Sequence, residues 1–115
     1  MKIEGIVFAG SATPEAEETT SFFRTVFGME PEPLEGYPAK VFNFPDGSSF
    51  GVVEIPSAEA ATRTIGFRVA DLDSAIAELT EAGIEVGPVG ENQLGRYAHL
   101  TAPDGRLYEL VEKPA

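Results

Sequence analysis

The apolar residues of the chain fall into two helical patterns separated by short alternating segments. The first helix is predicted from apolar residues at helical spacing, namely Phe22, Phe23, Val26 and Phe27. The second is predicted from a similar stripe, namely Leu72, Ala75, Ile76, Leu79 and Ala82. Gly28 and Gly83 stand where these helices should end, and Thr13 and Asp71 are predicted as their N-caps. The pattern therefore predicts two amphipathic helices, each followed by a glycine.

Short apolar or alternating segments predict the strands. They are residues 3–9, 40–44, 49–55, 64–69, 84–86, 97–101 and 106–111. Pro31 and Pro33 limit residues 30–34 to an edge strand. Residues 10–12 are predicted to break the first strand, and residues 90–95 to form a polar loop. Each half of the chain then has the order β-α-β-β-β.

A sequence repeat supports two equivalent halves. The turn Pro45-Asp46-Gly47 and its strand, up to Glu54, return 58 residues later as Pro103-Asp104-Gly105 and a strand that ends at Glu112. The two aspartates are interpreted as turn residues that bond their own backbone. Repetition of one supersecondary unit predicts a single domain, residues 1–115, of two βαβββ modules at about 1–57 and 58–115. The predicted class is α+β, with a curved sheet that encloses a cleft and helices outside.

Composition narrows the classes of partner. With 19 acidic and 8 basic residues, the net charge of −11 disfavours nucleic acid and anionic lipid, and favours cationic ligands or simple solubility. The absence of cysteine excludes disulfides, thiolate metal sites and cysteine nucleophiles. No apolar run is long enough for a membrane span or a signal peptide, so we expect a cytoplasmic protein. Four of the five arginines lie in the second half, where any anion-binding spot is expected.

Three segments carry a family resemblance. They are Phe22-Phe23-x-x-x-Phe27-Gly28, the stretch from Phe67 to Asp73, and the stretch from Ala102 to Glu112. Together with the two βαβββ halves, they resemble the vicinal oxygen chelate superfamily, which includes glyoxalase I, extradiol dioxygenases, fosfomycin-resistance enzymes and bleomycin-resistance proteins. The resemblance covers nearly the whole chain. It implies a ligand cleft and a homodimer that completes its clefts across the interface.

The resemblance also implies where a metal would be held, and here the chain departs from the family. Metal-dependent members use imidazole and carboxylate ligands on the first and last strands of each half. Thr64 occupies the position of a family histidine, Glu109 matches a family glutamate, and the repeat partner of Glu109 is Gly51. No histidine lies in residues 3–10, where only Glu4 carries a carboxylate. Since a catalytic metal of this kind needs about three protein ligands, no metal is predicted.

Several residues have two readings. Glu109 either faces the cleft, as a ligand contact or an acid or base, or is the solvent-facing residue of an alternating strand. If it is buried without a metal it needs a basic partner, for which Arg68 is the candidate. Arg68 shares strand parity with Thr64, although it could also lie at an exposed strand end. His99 either packs as a hydrogen-bonded strand residue or forms an incomplete site with Glu109.

Aromatic residues divide between packing and a ligand pocket. Four are predicted to pack between helix and sheet, namely Phe22, Phe23, Phe27 and Phe67. Four others lie on predicted strands, namely Phe8, Phe42, Tyr97 and Tyr108. Strand parity divides them between the helix side and the cleft side of the sheet, so some of them are expected to line the cleft. The candidate ligand-binding residues are therefore Phe8, Thr64, Arg68, Tyr97, His99 and Glu109.

These observations favour a protein without enzymatic activity that binds or sequesters a small molecule in its cleft, similar to the bleomycin-resistance branch. The ligand is expected to be cationic or aromatic. The alternative is a divergent metal-dependent lyase, isomerase or dioxygenase of the same superfamily, with zinc, nickel, manganese or iron. A third possibility is a metal-free enzyme that uses Glu109 as acid or base.

Overall fold

Both modules have the predicted order of elements in the computed structural model, which describes residues 1–114. Ala115, the last residue of the predicted second module, lies outside the described residues. The elements are β1 (Gly5–Thr13), α1 (Ala16–Phe27), β2 (Glu32–Pro33), β3 (Ala39–Asn43), β4 (Ser49–Glu54), a 3₁₀ turn (Ala58–Ala60), β5 (Thr62–Arg68), α2 (Leu72–Glu81), β6 (Gly90–Asn92), β7 (Gly95–Thr101) and β8 (Leu107–Glu112). The α+β class with two βαβββ modules is confirmed.

The chain divides into two compact units. The N-terminal unit is Phe8–Arg63, and its strands follow the order β2-β3-β4-β1, with β1 parallel to β4. The C-terminal unit comprises Met1–Val7 and Thr64–Ala115, and its strands follow the order β5-β8-β7-β6, with β5 parallel to β8. The first seven residues join the C-terminal unit, where the N–H of Glu4 donates to the carbonyl of Arg68 at 2.8 Å. This placement was not predicted.

The predicted helix ends are mostly confirmed. Gly28 closes α1 in the left-handed conformation, at a φ of 66°, and its N–H donates to the carbonyl of Arg24. Asp71 caps α2 by accepting a hydrogen bond from the N–H of Ser74 at 3.1 Å. The prediction that Thr13 is the N-cap of α1 is wrong. Thr13 is the last residue of β1, and its hydroxyl accepts from the N–H of Glu15 in the turn that precedes the helix.

Two strand boundaries also differ from the prediction. Residues 10–12 do not break β1, because Gly10, Ser11 and Ala12 continue its parallel ladder with β4. A ladder is made by backbone groups, so small side chains with weak strand propensity are tolerated in it. Residues 84–86 form no strand, and the strand lies instead in the predicted polar loop, where Gly90–Asn92 pairs antiparallel with β7.

Each unit has its own apolar core. In the N-terminal unit the ring of Phe23 lies 5.0 Å from that of Phe50, and Phe27 packs edge-on against the fully buried Phe42. Phe22 was predicted to be buried but is 61% exposed on α1, because that helix turns the position away from β4. In the C-terminal unit, α2 packs on the sheet through a buried cluster, namely Val69, Leu72, Ala75, Ala98 and Leu110. Among residues 1–114, no helix is long and apolar enough to cross a membrane.

Candidate functional site

The sheet of the C-terminal unit has one face covered by α2 and one face turned away from it. Ala98, Leu110 and the partly buried Phe67 pack on the helix side. Because side chains alternate along a strand, their neighbours point to the opposite side, which we call the helix-free face. It carries five of the six candidate ligand-binding residues, namely Thr64, Arg68, Tyr97, His99 and Glu109. The sixth, Phe8, belongs to the N-terminal unit.

The register of the β7–β8 hairpin brings two of these residues together. His99 and Glu109 lie five residues before and after Asp104, the centre of the turn, and are directly opposite each other in the antiparallel ladder. The turn is fixed by Asp104, whose Oδ1 accepts the N–H of Arg106 at 2.9 Å. That hydrogen bond is the main reason that the pKa of Asp104 is lowered.

The side chains of His99 and Glu109 form a close polar pair. The His99 Nε2 lies 2.9 Å from the Glu109 Oε2, and the Glu109 side chain is only 12% exposed. A carboxylate this far from water requires a hydrogen-bonding partner. The prediction that Arg68 is this partner is wrong, since the Arg68 Nε pairs with the Glu4 Oε1 at 3.4 Å. The imidazole of His99 provides the partner instead.

The pair determines which ring nitrogen of His99 can act on a ligand. A carboxylate oxygen 2.9 Å from Nε2 favours a proton on this nitrogen. In the neutral ring, Nδ1 is then the acceptor and the basic atom. The His99 side chain is 36% exposed, so a ligand on this face has access to the ring.

Aromatic and cationic groups border the pair. The Tyr97 ring centroid lies 5.4 Å from that of His99 in an edge-to-face arrangement. Arg68 and Lys113 are cations of the same unit, and the pKa of Lys113 is lowered by its partial burial first and by the charge of Arg68 second. Thr64 is half-buried on β5, opposite Leu107. The helix-free face thus presents a polar pair and an aromatic ring, with Arg68, which is paired with Glu4, at the end of β5.

The equivalent positions of the N-terminal unit contain no polar pair. Val41 lies opposite Gly51 across the β3–β4 hairpin, as His99 lies opposite Glu109. The space beside Gly51 is filled by Phe8, whose Cζ lies 3.1 Å from where a Cβ at Gly51 would be placed. A carboxylate side chain at this position would collide with the ring. Phe8 is therefore a packing residue of the N-terminal unit.

The residues at the family's metal positions do not fit a divalent ion. Thr64 offers a neutral hydroxyl, Gly51 offers no side chain, and the Glu109 carboxylate is bonded to His99. Within the described part of the chain, no three histidine, aspartate or glutamate side chains are grouped so that they could hold a metal. We therefore derive no chemistry through a metal at these positions.

The sequence analysis placed His99 and Glu109 together only as an incomplete site and did not predict their direct contact. A signal for it was present in the sequence, because a hairpin centred on Asp104 pairs residues at equal distances from it. The sequence analysis overlooked this symmetry of the hairpin. It named Arg68 as the partner of Glu109 instead of His99. In the β3–β4 hairpin, Val41 and Gly51 lie at equal distances from Asp46 and are paired in the same way.

The fold is shared with solved structures of known proteins. No family model matches the chain, and no curated protein matches it in sequence. Methylmalonyl-CoA epimerase from Mycobacterium tuberculosis is 17% identical, with 98% of this chain and 90% of that chain covered and a TM-score of 0.77. A variant of the Streptomyces coelicolor methylmalonyl-CoA epimerase, in complex with 2-nitronate-propionyl-CoA, is 24% identical, with coverages of 99% and 100% and a TM-score of 0.72. A hypothetical protein from Bacillus halodurans is 19% identical, with coverages of 96% and 94% and a TM-score of 0.74.

Identities this low show the fold and no particular activity. The fold shared with these proteins agrees with the fold that the resemblance to the vicinal oxygen chelate superfamily implies. The chain has the fold of the vicinal oxygen chelate superfamily.

Proposed function

We propose that the protein binds a small molecule on the helix-free face, with the pair of His99 and Glu109 as its polar anchor. The observation that carries the proposal is the 2.9 Å contact between an accessible imidazole and a carboxylate that is almost out of solvent. Such a pair is pre-organised, because each side chain holds the other in place before a ligand arrives. A ligand then loses less free energy to ordering of the site.

The surroundings of the pair favour a ligand with an aromatic or cationic group. Tyr97 provides a ring for stacking or for a cation, and the neutral His99 ring accepts a hydrogen bond at Nδ1. The net charge of −11 attracts cations over a longer range.

We propose further that this binding needs no divalent ion. Support comes from Gly51 and Thr64, neither of which supplies a carboxylate or an imidazole where the family places one. The similar epimerases were solved with small molecules, methylmalonyl-CoA in one case and 2-nitronate-propionyl-CoA in others. A homodimer is part of the proposal because of the superfamily resemblance, and sedimentation equilibrium would measure it.

A second candidate function is proton transfer without a metal. It is favoured by the orientation of His99, since Glu109 holds the ring so that Nδ1 is its basic atom, as an acid–base pair requires. In such a step a C–H proton next to a carbonyl moves to Nδ1, and the electron pair of the broken bond moves towards the carbonyl oxygen. Exchange of that C–H with deuterated solvent would detect the step. The first candidate, binding alone, predicts no exchange.

A ligand screen on metal-stripped protein tests the main proposal. Cationic and aromatic compounds would be screened by amide NMR in the presence of a chelator. We expect shifts centred on Tyr97, His99 and Glu109, and affinities at least about 10-fold weaker in Glu109→Gln, since a hydrogen bond to a charged group contributes about 1.5–3 kcal/mol. Glu91→Gln is the matched control, because Glu91 is exposed on β6 of the same unit. Shifts confined to other residues would contradict the proposal.

A further inference from the structure

Gly90 lies in a strand at a position where the backbone conformation does not require glycine. It is the first residue of β6, it pairs with Tyr97 of β7, and its φ lies outside the left-handed region. Glycine is disfavoured in strands, and a glycine found there often marks a place where another group approaches closely. At Gly90 that group is the side chain of Tyr97.

The Tyr97 ring lies directly over Gly90. A Cβ on Gly90 would be 2.5 Å from both the Cζ and the Oη of Tyr97, and 2.9 Å from its Cε2. These distances are too short for a Cβ, so any other residue at position 90 would displace the ring. Residues paired across an antiparallel ladder project from the same face, so this contact lies on the helix-free face.

The neighbouring strands determine the direction in which the ring leans. On β8 the residue paired with Tyr97 is Val111, whose buried, branched side chain fills the space on that side. On β6 the paired residue is Gly90, which leaves the space empty, and the ring therefore lies over β6. The imidazole of His99, on the same face of β7, is held in the opposite direction by Glu109 on β8.

This arrangement places a flat apolar surface beside a hydrogen-bond acceptor. The ring centroids of Tyr97 and His99 are 5.4 Å apart, and each side chain keeps part of its surface exposed. An aromatic ring favours another flat ring in offset stacking, and the Nδ1 of a neutral imidazole accepts a hydrogen bond. A ligand that uses both groups needs a planar ring that carries an N–H or O–H donor.

We infer that Gly90 is a positioning residue that makes this site selective for planar aromatic ligands with such a donor. The inference rests on the function proposed above and narrows its ligand class. Gly90 keeps the Tyr97 ring against β6, where the ring of the ligand stacks on it while the donor of the ligand reaches His99. A side chain at position 90 displaces the Tyr97 ring and removes the preference for a planar ligand, but leaves the pair of His99 and Glu109 in place.

Two matched probes test the selectivity. Benzamidine and cyclohexanecarboxamidine carry the same amidinium donor, but only benzamidine has a planar ring. In amide NMR titrations of the wild type, we expect benzamidine to bind about two- to tenfold more tightly, which is the contribution of an aromatic contact. Gly90→Ala should bind the two probes equally. Gly87→Ala is the matched control and should keep the preference, because a Cβ there would lie 3.5 Å from the carbonyl oxygen of His99, an ordinary contact.

The free protein gives a second readout, which a loss of stability alone would not produce. His99 is the only histidine of the sequence, so its ring protons give isolated NMR signals that sense the Tyr97 ring current. These signals should move in Gly90→Ala and stay in Gly87→Ala. In the background of Tyr97→Ala, Gly90→Ala should change neither the signals nor the affinities further, because the displaced ring is gone.

The inference is overturned if the wild type binds both amidines equally or binds neither, if Gly90→Ala keeps the preference, or if the His99 signals do not respond to it. Glu109→Gln separates these outcomes from a failure of the proposed function. If Glu109→Gln weakens both amidines while Gly90→Ala changes nothing, the polar anchor stands and the inference falls. If Gly90→Ala removes the preference while Glu109→Gln leaves both affinities unchanged, the anchor falls and the positioning role of Gly90 stands.

Discussion

The carboxylate of Glu112 accepts a hydrogen bond from the N–H of Leu72 at 2.7 Å, and so joins the end of β8 to the start of α2. Glu54 makes the same connection in the other module, where it accepts the N–H of Ala16 at 3.3 Å. The two glutamates are 58 residues apart and end the two copies of the sequence repeat. A carboxylate at a helix N-terminus satisfies a free N–H group and interacts favourably with the helix dipole.

Replacing Glu112 by alanine should destabilise the protein by about 1–2 kcal/mol, because an N-terminal N–H of α2 loses its acceptor. The substitution also removes the contact of the Glu112 Oε1 with Arg96, at 3.5 Å. The free energy of unfolding from urea titration would measure the loss. Glu91→Ala is the control and should change that free energy by less than about 0.5 kcal/mol. If both substitutions changed the free energy of unfolding by the same small amount, the Glu112 side chain would make no specific contribution to stability.

The stability should also decrease in acid through Asp71. Hydrogen bonds from the backbone N–H of Ser74, first, and from its side chain, second, lower the pKa of this carboxyl. Since the folded-state pKa lies below the unfolded value, the contribution of Asp71 is complete above the unfolded pKa. It is then lost as the pH falls below about 4 and through the folded pKa.

Asp71→Asn isolates this effect, because asparagine still caps a helix but does not titrate in acid. Urea titrations between neutral pH and pH 2 should show a smaller decrease of stability for Asp71→Asn than for the wild type. Parallel pH profiles of the two proteins would contradict the assignment. Ser74→Ala should reduce the pH dependence as well, because it removes one of the two hydrogen bonds.

The packing of Phe8 against Gly51 leads to a third prediction. A Cβ at position 51 would lie 3.1 Å from the Phe8 Cζ, which is closer than ordinary van der Waals contact. Gly51→Ala should therefore destabilise the protein by about 1 kcal/mol. In the background of Phe8→Leu, the same substitution should be neutral or stabilising, because the ring is gone. A double-mutant cycle measures this coupling, and additive effects would contradict the contact.

The orientation of His99 can be observed directly. Because its Nε2 faces the Glu109 carboxylate, the neutral ring should carry its proton on Nε2. Long-range ¹H–¹⁵N correlation spectra at alkaline pH distinguish the two tautomers. We expect the Nε2–H form to predominate in the wild type and to lose that preference in Glu109→Gln. A predominant Nδ1–H form in the wild type would contradict the pairing.

Sequence patterns predicted the two helices because their ends are encoded locally. Gly28 adopts a left-handed conformation that favours glycine, and Asp71 caps α2 with its own side chain. Strand boundaries depend on distant partners instead. Gly10 is part of β1 since Gly51 pairs with it, and nothing near Gly10 in the sequence indicates that partner.

The sequence analysis predicted which residues form the candidate site, but it did not predict the contacts between them. Strand parity placed Thr64 and Arg68 together, and the structure has both on the helix-free face. The partner of Glu109 required the register of the β7–β8 hairpin, which is set by the turn at Asp104.

The most direct test of the proposed function is calorimetry on metal-stripped protein with a ligand found in the screen. We expect binding in the presence of a chelator, and an affinity at least about 10-fold lower in Glu109→Gln than in the wild type and Glu91→Gln. Binding that is restored only by nickel, zinc, manganese or ferrous iron would contradict the account and favour the metal-dependent alternative. An unchanged affinity in Glu109→Gln would show that the pair of His99 and Glu109 is not the anchor of the ligand.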